Sequence, residues 1–148
     1  MQRVLHALLA AEPEGTGTDV ADALALIGRM QRRRGLVCVI SDFRSPPFEH
    51  DLRTLARRHE VLCIAIEDPR DVHLPPVGLL DVVDPETGTR ALLDTSSKRV
   101  REAYHESAMA QRQQARATIR RTGAALIELS TDRPFMVDLV SHFRRIRR

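Results

Sequence analysis

The sequence has no tryptophan, one tyrosine and four phenylalanines, so aromatics supply only 3% of its 148 residues. A core must then be built from Leu, Val, Ile and Ala, and the stacking platforms that bind single-stranded nucleic acid are missing. Cysteine is also scarce, with only Cys38 and Cys63. Two cysteines exclude a disulfide framework, and each sits in a short apolar run where a buried thiol is expected; the chain reads as cytoplasmic. The longest apolar runs are about six residues, far short of a membrane span, and the N-terminus shows no signal peptide. Net charge is small: 23 basic against 20 acidic side chains leave +3, which does not imply a polyanionic partner.

What is present is an ordinary globular balance, 43% hydrophobic and 29% charged, in a length that suits one domain with a real core. The basic residues are almost all arginine. Their densest runs are Arg32-Arg33-Arg34 and Arg144-Arg145-Ile146-Arg147-Arg148. Both fall at or near expected helix C-termini, where cations are favoured by the helix dipole.

Hydrophobic periodicity predicts the elements. Residues 2–11 form a short helical pattern, broken by Pro13, Gly15 and Gly17. Val20, Ala23, Leu24, Ile27 and Met30 then recur at helical spacing, with Thr18 or Asp19 as cap and Gly35 as stop. The run LVCVIS (36–41) fits a strand buried on both faces, as in a parallel sheet. Residues 48–59 carry Phe48, Leu52, Leu55 and Ala56 on one helical face, and VLCIAI (61–66) is a second buried strand. After a loop with three prolines, LLDVVDPETGTRALLDT reads as a β-hairpin with arms near 79–83 and 89–93. Lys98 to Arg121 is a long helix ended by Gly123, ALIEL (125–129) is a third strand, and a last helix begins with Pro134 in its first turn. Phe135, Leu139, Val140 and Phe143 form its stripe. The order implies an α/β fold, a partial Rossmann-like parallel sheet with flanking helices and an inserted hairpin. No linker divides it.

In an open α/β sheet ligands bind at the carboxyl ends of the strands. The first strand ends in Ser41-Asp42-Phe43, so Asp42 is expected at that edge. The loop GTGTD precedes the helix feeding this strand, which brings the Thr18 hydroxyl to the same edge. A hydroxyl and a carboxylate are hard-oxygen donors, suited to Mg²⁺ or Mn²⁺. Plainer readings make Thr18 a helix cap and Asp42 a loop carboxylate accepting backbone N–H groups. Other chemistry has weaker support. His59-Glu60 and His105-Glu106 fail as zinc motifs because Cys63 and Met109 occupy the needed positions, and the histidines are expected on solvated faces. No P-loop, dinucleotide fingerprint or nucleophile elbow is found.

The succession GTGTDVADALALI, then LVCVISDF, resembles the second and third parts of a metal-ion-dependent adhesion site in von Willebrand factor A-like domains. With LARRHEVLCIAIEDPRD, LPPVGLLDVVDPETG and GAALIELSTDRPF it is similar to the bacterial domain of unknown function 58 family, whose members are associated with MoxR-type AAA+ ATPases. The resemblance spans about residues 15–146. It implies a non-enzymatic protein–protein interaction module, with Thr18 and Asp42 as metal ligands and Mg²⁺ as the ion of the intact domain. The family's Asp-x-Ser-x-Ser is absent here, so residues 1–148 are expected to form a single domain lacking the first strand and to bind Mg²⁺ weakly or not at all. Membrane segments, frequent upstream in such proteins, are absent from this chain.

Two rival readings stay open: a nucleic-acid-binding module using the arginine clusters, and a metal-dependent hydrolase in which Asp42 pairs with Glu67. No nucleic acid is expected as partner. The strand at 36–41 should leave an apolar edge unpaired, which predicts a homo-oligomer joined through that edge.

Overall fold

The computed structural model describes residues 2–11, 17–44, 47–84 and 87–146. Gly15, residues 85–86 of the hairpin turn, and Arg147-Arg148 lie outside them, as does the side chain of Phe143. In chain order the elements are α1 (Gln2–Ala10), α2 (Val20–Met30), β1 (Leu36–Ser41), α3 (Glu49–Ala56), β2 (Glu60–Glu67), a single 3₁₀ turn at Pro69–Asp71, β3 (Leu79–Val83), β4 (Arg90–Asp94), α4 (Lys98–Thr122), β5 (Ala125–Ser130) and α5 (Phe135–Ile146). The expected α/β class is what forms.

The main sheet has the order β1-β2-β5 and every pairing is parallel. Val37 faces Val61 and Ser41 faces Ala65 on one side of β2, while Leu62 faces Ala125 and Glu67 faces Ser130 on the other. Strand alternation divides these residues between two faces. Val37, Val61, Cys63 and Ala65 meet Val20 and Leu24 of α2, Leu52 and Leu55 of α3, and Ile119 of α4 in the larger core. Leu62, Ile127 and Leu129 form a smaller cluster with Leu139 of α5 on the opposite face. That second face is thinly covered near β1. Ile40 is 66% exposed there, at the mouth of an apolar groove of about 320 Å³ that also reaches Ile66 and Phe135.

The hairpin β3–β4 forms a separate antiparallel pair. Thr95, wholly buried, fastens its base. Its hydroxyl donates to the Gly78 carbonyl at 2.7 Å and accepts the Val77 N–H at 3.0 Å. Arg101 of α4 then caps the Thr95 and Ser96 carbonyls at 2.7 and 2.9 Å. Gly123 ends α4 at φ +83°, in the left-handed region where glycine carries no Cβ penalty.

Four sequence expectations are corrected. Helix α2 stops at Met30 and not at Gly35, because Gln31 turns extended and the Gly35 carbonyl is taken by the Glu60 N–H at 3.0 Å; Arg32-Arg33-Arg34 therefore lie in an exposed connection outside the helix. Pro134 immediately precedes α5 instead of sitting in its first turn. Cys38 is exposed, since β1 is an edge strand and Cys38 lies on its thinly covered face; Cys63, central in β2, is buried as expected. His59 is not solvated: it is 4% exposed, and among the described residues neither ring nitrogen has a hydrogen-bond partner.

Two outcomes follow. Burial pushes the Cys63 thiol up to about 12, so the native chain should release one equivalent in a thiol-titration assay, from Cys38, and the second only in denaturant. A buried polar group without a partner costs about 1–3 kcal/mol. His59→Leu should therefore raise stability by about 1 kcal/mol in urea unfolding; a loss of that size would show that the ring is satisfied.

Candidate functional site at the carboxyl edge

Parallel pairing sends all three strand ends to one edge, and the chain leaving β1 turns there at Phe43. Phe43 lies at φ +56°, which makes it the one non-glycine residue with positive φ among the described residues. A bulky residue in that region is strained by about 1–3 kcal/mol, and such strain concentrates at functional sites. The ring holds the turn in place: it is buried at 4% exposure and tilts against Phe48 with centroids 5.5 Å apart. Ser41 and Asp42 stabilise the backbone of the turn. The Phe43 N–H donates to Ser41 Oγ at 3.0 Å, and the Arg44 N–H donates to Asp42 Oδ1 at 3.2 Å. Ser41 Oγ also reaches Asp42 Oδ1 at 3.5 Å. With the ring turned inward, Asp42 and Arg44 both border a cleft of about 330 Å³ between this turn and the middle of α4.

Thr18 lies just before α2 and is not among the residues that line the cleft. Helix α2 finishes five residues before β1 begins, so its C-terminus lies by the amino end of that strand. A Cβ on Gly28 would come within 3.8 Å of Leu55, so α2 packs against α3. Thr18 sits immediately before the Asp19 cap, at the opposite end of α2. Thr18 is exposed there, and the capping role falls to Asp19, whose carboxylate accepts the Asp22 N–H at 2.8 Å.

The donor set gathered here is oxygen only, and it is small. Among the described residues no group of three or more His, Cys, Asp or Glu is placed to hold a metal ion. Asp42 Oδ2 faces Arg44 Nε at 3.9 Å. Two hydroxyls and one carboxylate already engaged by arginine do not fit a resident Mg²⁺, which prefers near-octahedral oxygen coordination.

Glu67 belongs to a different arrangement from the Asp42 partnership considered for hydrolysis. Arg112 and Arg116 of α4 each reach its carboxylate at 3.3 Å, and Arg116 also binds Glu128 of β5. Arg112 further donates to the Asp68 carbonyl at 3.0 Å. This partly buried network fastens the middle of α4 to the ends of β2 and β5. Asp68 extends it, since Thr131 donates to its carboxylate at 2.7 Å. The Thr131 hydroxyl, followed by the Arg70 N–H, holds the Asp68 carboxyl below its usual range. Across the cleft, Arg121 binds Glu49 at 2.9 Å and holds that carboxyl low as well. These depressed values contribute stability above the unfolded carboxylate range, and it is lost as pH falls through the folded ones.

Sequence reasoning placed Thr18 and Asp42 at this edge and missed Phe43, Arg44 and the α4 arginines. The spacing of Arg112 and Arg116, one helical turn apart, was the available signal for a charged face. Nothing in the sequence marked Phe43 as left-handed.

The profile of the family described as Protein of unknown function DUF58 matches residues 1–114. An uncharacterized protein of Mycobacterium avium is 40% identical over 138 residues, 92% of this chain and 80% of that protein. Uncharacterized proteins of Mycobacterium bovis and Mycobacterium tuberculosis are each 40% identical over 129 residues. These cover 86% of this chain, which spans 40% of the length of either relative. No solved structure matches significantly.

The strained turn generates a clear ordering. Phe43→Ala should lose about 3–5 kcal/mol of ring packing while keeping the unfavourable angle. Phe43→Gly loses the same packing and relaxes the backbone, so it should be the more stable of the two by about 1 kcal/mol. Urea midpoints decide it, and the reverse order would remove the strain argument.

Proposed function

This chain belongs to the DUF58 family, and on that footing we propose that it is a non-enzymatic protein-binding module of von Willebrand factor A-like type. The carrying observation is the strained turn that presents Asp42 beside a cleft at the carboxyl edge of a parallel sheet. Strain kept at one exposed carboxylate supports recognition there. A catalytic reading has less behind it, because Glu67 is neutralised by two arginines and does not form a free carboxylate pair with Asp42.

In this reading β1, β2 and β5 are the C-terminal portion of the larger sheet, and the partner is a MoxR-type AAA+ ATPase acting in assembly or maturation of other proteins. Thr18 and Asp42 would contribute to a Mg²⁺ site of the intact domain, where the ion polarises an oxygen ligand from the partner; within this chain the set stays incomplete. Nucleic acid is not the expected partner, since the Arg32–Arg34 run is separate from the cleft. The described residues include no helix long and apolar enough to cross a membrane.

The free edge of β1 supports a second contact, with another copy of this chain. LVCVIS carries no charge, so two such edges pair without like-charge repulsion, and open edges of this kind recruit strands.

Calorimetric titration with a purified MoxR-type ATPase, with Mg²⁺ present, tests the main reading. Binding that drops at least about tenfold in Asp42→Ala, some 1.4 kcal/mol, is expected. Absence of binding in every nucleotide state, or divalent-dependent hydrolysis that vanishes in Asp42→Ala, would overturn it. Light scattering separately tests the edge: a dimer that dissociates in Ile40→Lys is expected, and a monomeric wild-type chain removes that contact.

A further inference from the structure

We propose that the amino edge of the parallel sheet is a docking surface for an anionic lipid bilayer, with arginines of two neighbouring connections on the headgroup phosphates and Met30 and Leu36 dipping between the headgroups. This surface stands apart from the carboxyl-edge cleft and needs nothing bound there.

Topology assembles the surface. The connection from α2 to β1 carries Arg32, Arg33 and Arg34, the one from α3 to β2 carries Arg57 and Arg58, and Arg29 lies in the last turn of α2. Parallel pairing sets Leu36 beside Glu60, and the Glu60 N–H donates to the Gly35 carbonyl at 3.0 Å, so the two connections enter the sheet side by side. Gln31 Nε2 donates to the Arg33 carbonyl at 3.1 Å and holds the first connection in shape. All of these arginines are exposed, and among the described residues none of their guanidinium groups meets an acid. The cleft arginines differ, since Arg44 has Asp71, Arg112 has Glu67 and Arg121 has Glu49. Glu60 is the one carboxylate within residues 29–36 and 57–60. A chain with a net charge of only +3 therefore concentrates unpaired positive charge at one edge.

Charge and apolar surface together identify the occupant. The dipole of α2 fades within its last turn, so it does not account for Arg32, Arg33 and Arg34, which lie beyond the helix. Clusters of about four to eight basic side chains are drawn to anionic leaflets, and a guanidinium binds phosphate oxygens in pairs. A nucleic acid would answer the charge alone. It gives no reason for the two large apolar side chains that flank the arginine run, Met30 at 73% and Leu36 at 58% exposure. A bilayer interface takes both, with cations at the level of the phosphates and apolar side chains deeper. No Phe, Trp or Tyr lies within residues 29–36 or 57–60, so bases have nothing to stack on. The cleft lies at the far ends of the same strands, about 20 Å away. A chain docked by its amino edge therefore keeps Asp42 and Arg44 turned to solvent.

Co-sedimentation of the full chain with lipid vesicles tests this surface. Binding to phosphatidylcholine vesicles that contain about one-third phosphatidylserine is expected, with none to pure phosphatidylcholine. The triple variant Arg32→Gln, Arg33→Gln, Arg34→Gln should weaken it by at least about tenfold, and the double variant Arg57→Gln, Arg58→Gln by at least about fivefold. Met30→Gln leaves the charge intact and should weaken binding about three- to tenfold. All these positions are exposed, and the two arginine sets lie on separate connections, so the fold is not at stake in either. No binding to the anionic vesicles, or a loss in one arginine variant and not the other, would overturn the shared surface. A Met30→Gln chain that binds as tightly as wild type removes the apolar contact and with it the choice of a bilayer. Tighter binding to a short DNA duplex than to the vesicles, at equal phosphate concentration, overturns the lipid assignment in favour of nucleic acid.

Discussion

The structure depends on β2 being paired in parallel on both sides. That arrangement fixes the direction of β1 and β5 and sends every strand's carboxyl end to one edge. Asp42, Glu67 and Ser130 lie there because of it, and α3 starts from the same edge. The central strand supports this with residues buried on both faces, Val61, Cys63 and Ala65 against three helices and Leu62 against the other side. A polar substitution in β2 would disturb both cores at once, whereas one in β1 meets helices on one face only.

Much of this architecture was legible from residue pattern. Short apolar runs located all three parallel strands; the burial on both faces that such runs imply holds for the central β2 but not for β1, whose Leu36, Cys38 and Ile40 are exposed. Gly123 marked the end of α4 because a left-handed C-terminal residue is nearly always glycine. The early end of α2 was not legible: its helical pattern has no stop at Met30, and the Gly35–Glu60 pairing that draws the chain into β1 is a contact across 25 residues. Cys38 and Cys63 sit in similar local runs, and only the strand order separates an edge thiol from a central one. The burial of His59 likewise comes from the packing around it, which single-sequence periodicity does not report.

The site divides in the same way. Asp42 and Glu67 were legible as strand-end residues because their positions follow from topology. Their surroundings were not, because Phe43's conformation and the two-carboxylate reach of Arg44 arise from tertiary packing against Phe48 and the segment after β2. The two ion clusters at this edge differ in kind. Glu67, Glu128, Arg112 and Arg116 are partly buried and tie α4 to the sheet. Asp42, Arg44 and Asp71 are more open, so solvent and ions reach them.

Helix α4 adds one more consequence. It is a single rod of about 37 Å, gripped near its middle by Glu67 and Glu128 and near its start by the hairpin base at Thr95. One continuous helix therefore joins the outlying hairpin, held by Arg101, to the sheet, held by Arg112 and Arg116, and to the main core at Ile119, so a break in its middle would part the hairpin from the core.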